Sequence, residues 1–113
     1  MIGLGDKTKR AYSITSSPTD DFLEFYSIKV PNGKLTSRLK NIQPGETLEV
    51  GSKSTGTLLL ENLTSGRNLR QLSTGTSIAP FISLVRQRDI FWNFKEVNLT
   101  WTVRTARELQ PYK

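Results

Sequence analysis

The pattern of apolar and polar positions changes along this chain at about residue 60. Up to that point, runs such as "RAYSIT" and "LEFYSIKV" are rich in aromatic and β-branched residues, and the polar clusters "SSPTDD" and "PNG" separate them. Runs of this kind, broken by turn-forming residues, are typical of antiparallel strands joined by short loops. We therefore predict two antiparallel strands, over residues 10–15 and 22–30.

One helical turn interrupts this β pattern. Leu35, Leu39 and Ile42 are spaced i, i+4 and i+7, which places them on one apolar stripe of a short helix. The Thr-Ser pair at 36–37 can cap the start of this helix, and the Pro-Gly pair at 44–45 ends it. The run "TLEVGSKSTGTLLL" then resumes the strand pattern, with a break at each of its glycines.

The second part of the chain predicts a strand, a loop, a helix and a further strand. These are "NLRQL", "STGTS", "IAPFISLVRQR" with a proline in its first turn, and "VNLTWTV"; "TARELQPY" begins another helix or loop. Apolar and polar residues alternate in "VNLTWTV", so one face of that strand is expected to be wet. Trp92 and Phe94 are predicted to be helix residues that pack on the sheet.

A strand followed by a glycine-bearing loop and a helix is the unit that opens a nucleotide-binding α/β domain. The predicted fold class is therefore mainly antiparallel β, followed by the first βαβ unit of an α/β domain. We place the division between residues 1–65 and 66–113. Two parallel strands bury too little apolar area to stand alone, so either the two parts share one core or the chain is a piece of something larger.

The amino-acid composition limits the kinds of catalysis that this chain can carry out. The 113 residues include neither cysteine nor histidine, which excludes thiolate catalysis, cysteine-held iron–sulfur clusters and the commonest general base. Chemistry must then come from carboxylates or from a bound cofactor, and no metal site is expected. The net charge of +6 favours anionic partners. No apolar run approaches a membrane span and no secretory leader is evident, so we expect a cytoplasmic protein without membrane contact.

Three turns in the chain are suited to anions. In a strand, Arg10 and Tyr12 share one face while Ala11 and Ser13 share the other, which offers a guanidinium beside an aromatic ring. Taken alone, these four residues are more simply explained by an exposed edge strand with a surface Arg and a half-buried Tyr. The other two turns are "GKLTSRL" and "STGTSIAPF", where hydroxyl residues and a glycine precede a helix. For "GKLTSRL", an ordinary helix cap is the simpler explanation.

The order of these blocks is recognisable. "RAYSITSSP", "LEFYSIKVPNGKLTSRL", "QPGETLEVGSKSTGTLLL", "LSTGTSIAPFISLVR" and "VRTARELQPY" together resemble the bacterial ferredoxin–NADP reductases, also called flavodoxin/ferredoxin–NADP reductases, over nearly the whole chain. The resemblance implies a partial Greek-key FAD-binding barrel in residues 1–65 and the N-terminal part of an NADP-binding α/β domain in residues 66–113. It also implies truncation at both ends relative to the family.

The resemblance assigns roles to individual residues. Arg10 would contact the FAD pyrophosphate, Tyr12 would pack on the isoalloxazine ring and Ser13 would approach its reactive nitrogen, so Tyr12 and Ser13 are the implied catalytic residues. The remaining implied cofactor-binding residues are Ala11 in the same segment, Tyr26 near the adenosine part of FAD, Lys34, Leu35 and Thr36 at the pyrophosphate, Thr76 near the flavin, and Arg104 at the 2′-phosphate of NADP.

By the same resemblance, FAD would carry electrons between NADP(H) and a ferredoxin or flavodoxin, and a basic surface would steer such acidic carriers. Two other classes of function stay open. A catalytically incomplete barrel could act as an interaction module whose exposed strand edges allow self-association. A small basic barrel could bind single-stranded nucleic acid, with Tyr12, Phe25 and Tyr26 as stacking residues. Nucleic acid is the least favoured partner, because the chain carries no RNA-binding motif.

Overall fold

A small antiparallel sheet holds the beginning of the chain in a computed structural model that describes residues 1–112. Strands β1 (Ile2–Gly3), β2 (Lys9–Arg10) and β3 (Glu49–Val50) lie in the order β2-β1-β3, with β1 antiparallel to both neighbours. An ion pair of 3.2 Å between Lys9 Nζ and Glu49 Oε2 joins the two outer strands. Lys113, the last position of the predicted second unit, lies outside the described residues.

The strands predicted over 10–15 and 22–30 are much shorter in the structure. Their antiparallel pairing is reduced to one bridge between Ile14 and Phe25, supported by the Thr15 amide donating to the Glu24 carbonyl at 2.9 Å. The β-forming residues of 22–30 need a neighbouring strand to pack against, and the described chain supplies only that bridge. The apolar side chains of Phe22 and Leu23 therefore remain exposed.

The predicted helical turn is confirmed as α1 (Thr36–Leu39), and Leu35 at its start is buried. The predicted caps are wrong, because the hydroxyls of Thr36 and Ser37 bond to the preceding turn instead. Ser37 Oγ donates to the Gly33 carbonyl at 2.5 Å, and the Thr36 hydroxyl lies 3.3 Å from the Val30 amide nitrogen. The turn predicted at "PNG" is confirmed by the Gly33 amide, which donates to the Val30 carbonyl at 3.0 Å.

The strand predicted over "TLEVGSKSTGTLLL" is also mostly wrong. Only β3 is a strand, and residues 51–59 form bends and irregular chain before a short 3-10 helix at Leu60–Asn62. Glycines at 51 and 56 and the many small polar residues between them give this stretch little side-chain area to pack, so no ladder extends through it.

The predicted β-loop-α-β order is confirmed in the second part. Strand β4 (Gly66–Thr74) leads through a 3-10 turn (Gly75–Ile78) into helix α2 (Ala79–Val85); helix α3 (Ile90–Asn93) then leads into strand β5 (Phe94–Thr102), and a 3-10 segment (Ala106–Tyr112) follows. Strands β4 and β5 are parallel, with Gly66 opposite Phe94 and Thr74 opposite Thr102. Pro80 lies in the first turn of α2, where its missing amide proton costs nothing.

The main apolar core lies between this parallel pair and its helices. Leu84, Ile90 and Phe94 are buried together, and partly buried apolar side chains surround them. The prediction for "DIFWNF" is half wrong. Phe94 is the first residue of β5 and is buried, whereas Trp92 on α3 points to solvent with 86% of its surface exposed.

The wet face predicted for the second strand is confirmed. Along β5 the residues Val97, Leu99 and Trp101 are half-buried, while the polar residues between them are exposed. We call the buried side of β4 and β5 the inner face and the exposed side the outer face. On β4 the arrangement of polar and apolar side chains is reversed at two positions. The polar side chain of Gln71 is on the inner face, and the apolar side chain of Leu72 is on the outer face, where it is 73% exposed.

The inner face of β4 carries an unusual polar pair. Gln71 and Ser73 are buried, yet both amide atoms of Gln71 and the hydroxyl of Ser73 are without a hydrogen-bond partner among the described residues. Buried polar groups are nearly always paired, since each unpaired one costs roughly 1–3 kcal/mol. Left without partners, these atoms would lower the stability of β4.

Side chains of α2 and of Arg86, which directly follows it, connect the two parts of the chain. Arg86 Nη1 lies 3.0 Å from the Thr15 carbonyl oxygen and 2.8 Å from Glu24 Oε1, and Ser83 Oγ donates to the Ser16 carbonyl at 2.7 Å. Thr15 and Ser16 are fully buried. The two parts therefore meet in an ordered contact. No helix within residues 1–112 has the length and apolar character needed to cross a membrane.

Candidate nucleotide-binding cavity

A cavity of about 490 Å³ lies at the carboxyl ends of β4 and β5, where ligands bind in open parallel sheets. Its lining comes from three separate segments of the chain. The lining residues are Tyr26 and Ile28 from the first part, Thr74, Gly75 and Thr76 from the end of β4, and Thr102, Val103, Arg104 and Glu108 from the end of β5 onward.

The segment after β4 forms a tight turn because Gly75 adopts a left-handed conformation, with φ of 52°. Ser77 closes this turn, since its hydroxyl donates to the Thr74 carbonyl at 2.5 Å and accepts from the Thr74 amide at 3.0 Å. Thr76 between them lines the cavity and is exposed. We call Thr74–Thr76 the Gly75 turn. It brings both a hydroxyl and backbone groups to the cavity.

An aromatic cluster supports the cavity from one side. The ring of Trp101 lies edge-on to the rings of Tyr26 and Tyr112, with centroid distances of 6.2 Å and 5.9 Å. Tyr26 and Tyr112 also pack edge-to-face at 5.4 Å. Edge-to-face pairs at such distances are favourable beyond the area that they bury. The cluster therefore fixes the position of Tyr26 in the cavity lining.

Opposite charges line the third wall. Arg104 Nε lies 3.9 Å from Glu108 Oε1, and the Thr105 hydroxyl donates to the same carboxylate oxygen at 3.3 Å. The Arg104 side chain is 87% exposed and the Glu108 side chain 27% exposed, so the guanidinium is the more accessible of the two groups. Burial raises the pKa of Tyr26 above its ordinary value, and the nearby Glu108 charge and Tyr112 raise it further.

The structure brings together three of the residues that the resemblance implied for cofactor binding. Tyr26, Thr76 and Arg104 come from separate segments and line the same cavity. Arg104 has its charged group in solvent, which suits an anionic ligand. These three residues fit a nucleotide, because they offer an aromatic ring, a hydroxyl and a guanidinium around a space of sufficient size.

The other proposed residues do not line this cavity. Arg10 is exposed on β2, with Nη1 donating to the Lys9 carbonyl at 2.9 Å; Ala11 and Ser13 are also exposed and Tyr12 is half-buried. The bridge at Ile14 nevertheless brings the end of this segment beside the segment that carries Tyr26.

The proposed pyrophosphate residues lie at α1. Lys34 is exposed and available to an anion. The side chain of Leu35 is buried in the fold, and the Thr36 hydroxyl is engaged with Val30, so these two side chains have structural roles here.

Sequence reasoning overlooked Trp101, Glu108 and Tyr112. One feature could have identified Trp101, because the alternation in "VNLTWTV" places it on the apolar side at the end of a strand, beside the glycine loop. The roles of Glu108 and Tyr112 depend on how the chain folds back after β5, which no local pattern indicates. Within residues 1–112, no cluster of three or more acidic side chains is arranged to hold a metal ion.

Several known proteins are similar to this chain in sequence. No family model matches the chain. A ferredoxin–NADP reductase A from Sorangium cellulosum is 48% identical over 112 residues, 96% of this chain and 40% of that protein. A ferredoxin–NADP reductase from Azotobacter vinelandii is 47% identical over 112 residues, 96% of this chain and 43% of that protein. A flavodoxin/ferredoxin–NADP reductase from Rhodobacter capsulatus is 48% identical over 114 residues, 97% of this chain and 42% of that protein.

A solved structure of a similarly named protein matches this chain in fold. The crystal structure of a ferredoxin NADP+ reductase from Neisseria gonorrhoeae with bound FAD and NADP superposes with a TM-score of 0.84 at 36% identity, covering 89% of this chain and 41% of that one. The chain thus spans about two fifths of the length of the relatives that it matches. In both sequence and fold, this chain is similar to one segment of these ferredoxin–NADP reductases.

Proposed function

We propose that this chain is the nucleotide-binding segment of a flavoprotein that passes electrons between NADP(H) and a ferredoxin or flavodoxin. The single observation that supports this most strongly is the convergence of Tyr26, Thr76 and Arg104 on one cavity at the carboxyl ends of β4 and β5. The relatives named above are reductases of this type, and the Neisseria gonorrhoeae protein holds FAD and NADP.

The two parts of the chain would divide the binding work. Residues 1–65 would be part of an FAD-binding Greek-key barrel, with Arg10 and Lys34 at the pyrophosphate, Tyr12 and Ser13 at the flavin ring, and the backbone of Ala11, Leu35 and Thr36 supporting them. Residues 66–113 would begin the NADP-binding domain. FAD, when bound, supplies the redox chemistry, so the residues of the chain need only bind, orient and shield it.

Arg104 would hold the 2′-phosphate of NADP(H). Its guanidinium is exposed, carries a permanent charge and offers several donors in a planar arrangement that matches phosphate oxygens. Thr76 would approach the flavin from the Gly75 turn, where the left-handed glycine lets the backbone come close to the nicotinamide nucleotide. The basic character of the chain would favour acidic electron carriers as partners. The cytoplasmic location stays a prediction.

The outer face of β4 and β5 supports a second proposal, that of an interaction surface. Arg70, Leu72, Glu96, Asn98 and Thr100 line a shallow groove of about 310 Å³ on it. A mixed apolar and charged surface next to open strand edges would permit self-association. Equilibrium sedimentation of the chain at several concentrations tests this proposal, and a monomer at all of them would contradict it.

The assignment of Arg104 is tested with adenosine 2′,5′-bisphosphate and 5′-AMP as probes, by calorimetry on the full chain. We expect the unaltered chain to prefer the bisphosphate, and Arg104→Ala to remove most of that preference, roughly 10-fold or more, because a charge-assisted hydrogen bond is lost. Arg107→Ala is the matched control, since Arg107 is exposed nearby but is not one of the lining residues. Equal binding by both variants would contradict the assignment.

The flavin assignment has its own test. The chain is mixed with excess FAD and desalted, and visible absorbance measures the retained flavin. Arg10→Ala should release FAD more readily than Arg67→Ala, a control that removes the same charge from the exposed start of β4. A colourless protein in every case would contradict FAD binding by this chain and would leave the interaction surface as the better proposal.

A further inference from the structure

Trp101 contacts all three segments around the cavity, although it is not among the described residues that line the cavity. Its indole Nε1 donates to the Gly75 carbonyl at 2.8 Å. Its ring packs edge-on against Tyr26, from the first part of the chain. The same ring also packs against Tyr112, from the segment that carries Arg104 and Glu108. The three walls therefore meet at a single residue.

The hydrogen bond from Trp101 acts on the Gly75 turn, the part of the cavity lining with the greatest conformational freedom. Gly75 has φ of 52°, and glycine is the residue with the greatest conformational freedom, so its turn is not fixed by its own backbone preference. Ser77 closes the turn from one side through Thr74. The Trp101 N–H holds the Gly75 carbonyl from the other side, which fixes where Thr76 presents its hydroxyl.

The two ring contacts act on the remaining walls. Edge-to-face packing at 86° with Tyr26 and at 69° with Tyr112 leaves each tyrosine little room to turn. Both tyrosines are attached to segments without a regular ladder at that point, since Tyr26 follows a single bridge and Tyr112 ends a 3-10 segment. The rings therefore supply order that the backbone there does not.

We infer that Trp101 is a positioning residue for the nucleotide: its N–H fixes the Gly75 turn, and its ring sets the separation of the Tyr26 and Arg104 walls. This inference rests on the proposed function, because it assumes that NADP(H) occupies the cavity. It differs from that proposal in assigning the preformed shape of the site to a residue that need not touch the ligand.

The chain provides a matched control, since it contains only two tryptophans and Trp92 is 86% exposed on α3. Trp101→Phe keeps an aromatic ring for the two tyrosines but removes the N–H donor. Trp92→Phe makes the same chemical change at the exposed position. Calorimetric binding of NADP+ is measured for both variants and for the unaltered chain, and amide hydrogen exchange of Thr76 and Ser77 is measured without ligand.

We expect Trp101→Phe to weaken NADP+ binding about 5- to 10-fold, the usual effect of one lost hydrogen bond, and Trp92→Phe to leave it unchanged. Exchange of the Thr76 and Ser77 amides should rise about 10-fold in Trp101→Phe alone, while the amide of the buried core residue Ile90 is unaffected. A further variant, Trp101→Leu, removes the ring contacts as well and should weaken binding more than Trp101→Phe.

The outcomes separate the two proposals. Unchanged NADP+ affinity and unchanged exchange in Trp101→Phe would overturn the positioning role while leaving the proposed function intact. A parallel rise in exchange at Ile90 would show a general loss of stability and would also overturn it. If the unaltered chain does not bind NADP+, the proposed function fails; a local rise in exchange would then still establish that Trp101 holds the turn, and its absence would refute that as well.

Discussion

The two parts of this chain are ordered by different kinds of interaction. In the second part, two parallel strands of nine residues each and the helices between them enclose the core of Leu84, Ile90 and Phe94. In the first part the strands are two residues long, and order comes largely from side chains that bond to the backbone, as Ser37 does to Gly33. The cavity forms where the two meet, so its shape depends on both kinds of order.

The largest expected effect on stability comes from removing core side chains in each of the two parts of the chain. Ile90→Ala in the second part and Leu35→Ala in the first should each cost about 2–5 kcal/mol in the free energy of unfolding, because both side chains are almost fully buried. Urea unfolding, followed by circular dichroism and by fluorescence, measures both variants. One shared transition would show that the parts unfold together, whereas two separate transitions would show that they are independent.

The connection through Arg86 should contribute less. Arg86→Met removes the bonds to the Thr15 carbonyl and the Glu24 carboxylate; because Arg86 and Glu24 are more than one third exposed, solvent screening limits the expected loss to about 1–2 kcal/mol. Arg88→Met, at an exposed position two residues on, is the control. Equal stability of the two variants would show that the connection contributes nothing.

This connection should also depend on pH. Hydrogen bonds from Thr15 and Arg86 hold the pKa of Glu24 below its ordinary value. A carboxyl whose pKa is lowered in the folded state adds stability above its unfolded pKa of about 4.5 and loses it as the pH falls through the folded pKa. As the pH is lowered from 6 to 3, the free energy of unfolding should therefore fall more steeply for the unaltered chain than for Arg86→Met.

Gln71 offers a change in the opposite direction. Gln71→Met keeps a side chain of similar length on the inner face and removes two buried polar atoms that have no partner, so we expect a gain of about 1 kcal/mol. Gln110→Met, at an exposed position, should change stability by less than about 0.5 kcal/mol. A loss of stability in Gln71→Met would mean that a bound water or ligand group satisfies the amide.

The smallest effect tests whether the two parts share the cavity. The Glu108 charge in the second part helps to raise the pKa of Tyr26 in the first. Glu108→Gln should therefore lower the pKa of Tyr26 while leaving it above its ordinary value, because burial is the larger cause. Tyrosinate absorbance during a pH titration measures this, with Glu96→Gln on the outer face as the control of equal charge. An unchanged Tyr26 pKa would place Glu108 away from Tyr26 in solution.

The sequence predicts the strands and helices of the second part well because the signals for those elements are local. The alternation in "VNLTWTV" and the proline in the first turn of α2 encode strand and helix directly, and both are present in the structure. The first part was predicted less well, because β-forming residues such as those at 22–30 specify a strand only when a partner strand is available. The resemblance assigned Tyr26 and Thr76 to FAD and Arg104 to NADP without indicating that the three line one cavity, and the position of Trp101 beside them likewise needed the fold to reveal it.

The constant offset between β4 and β5 also bears on how the chain folds. Gly66 pairs with Phe94 and Thr74 with Thr102, so every contact of the sheet joins residues 28 positions apart. Closing a flexible loop of that length costs roughly 3 kcal/mol before any strand bond compensates it. Helices α2 and α3 shorten that loop when they form first, so the helical signal in circular dichroism should appear before the indole of Trp101 becomes protected during refolding.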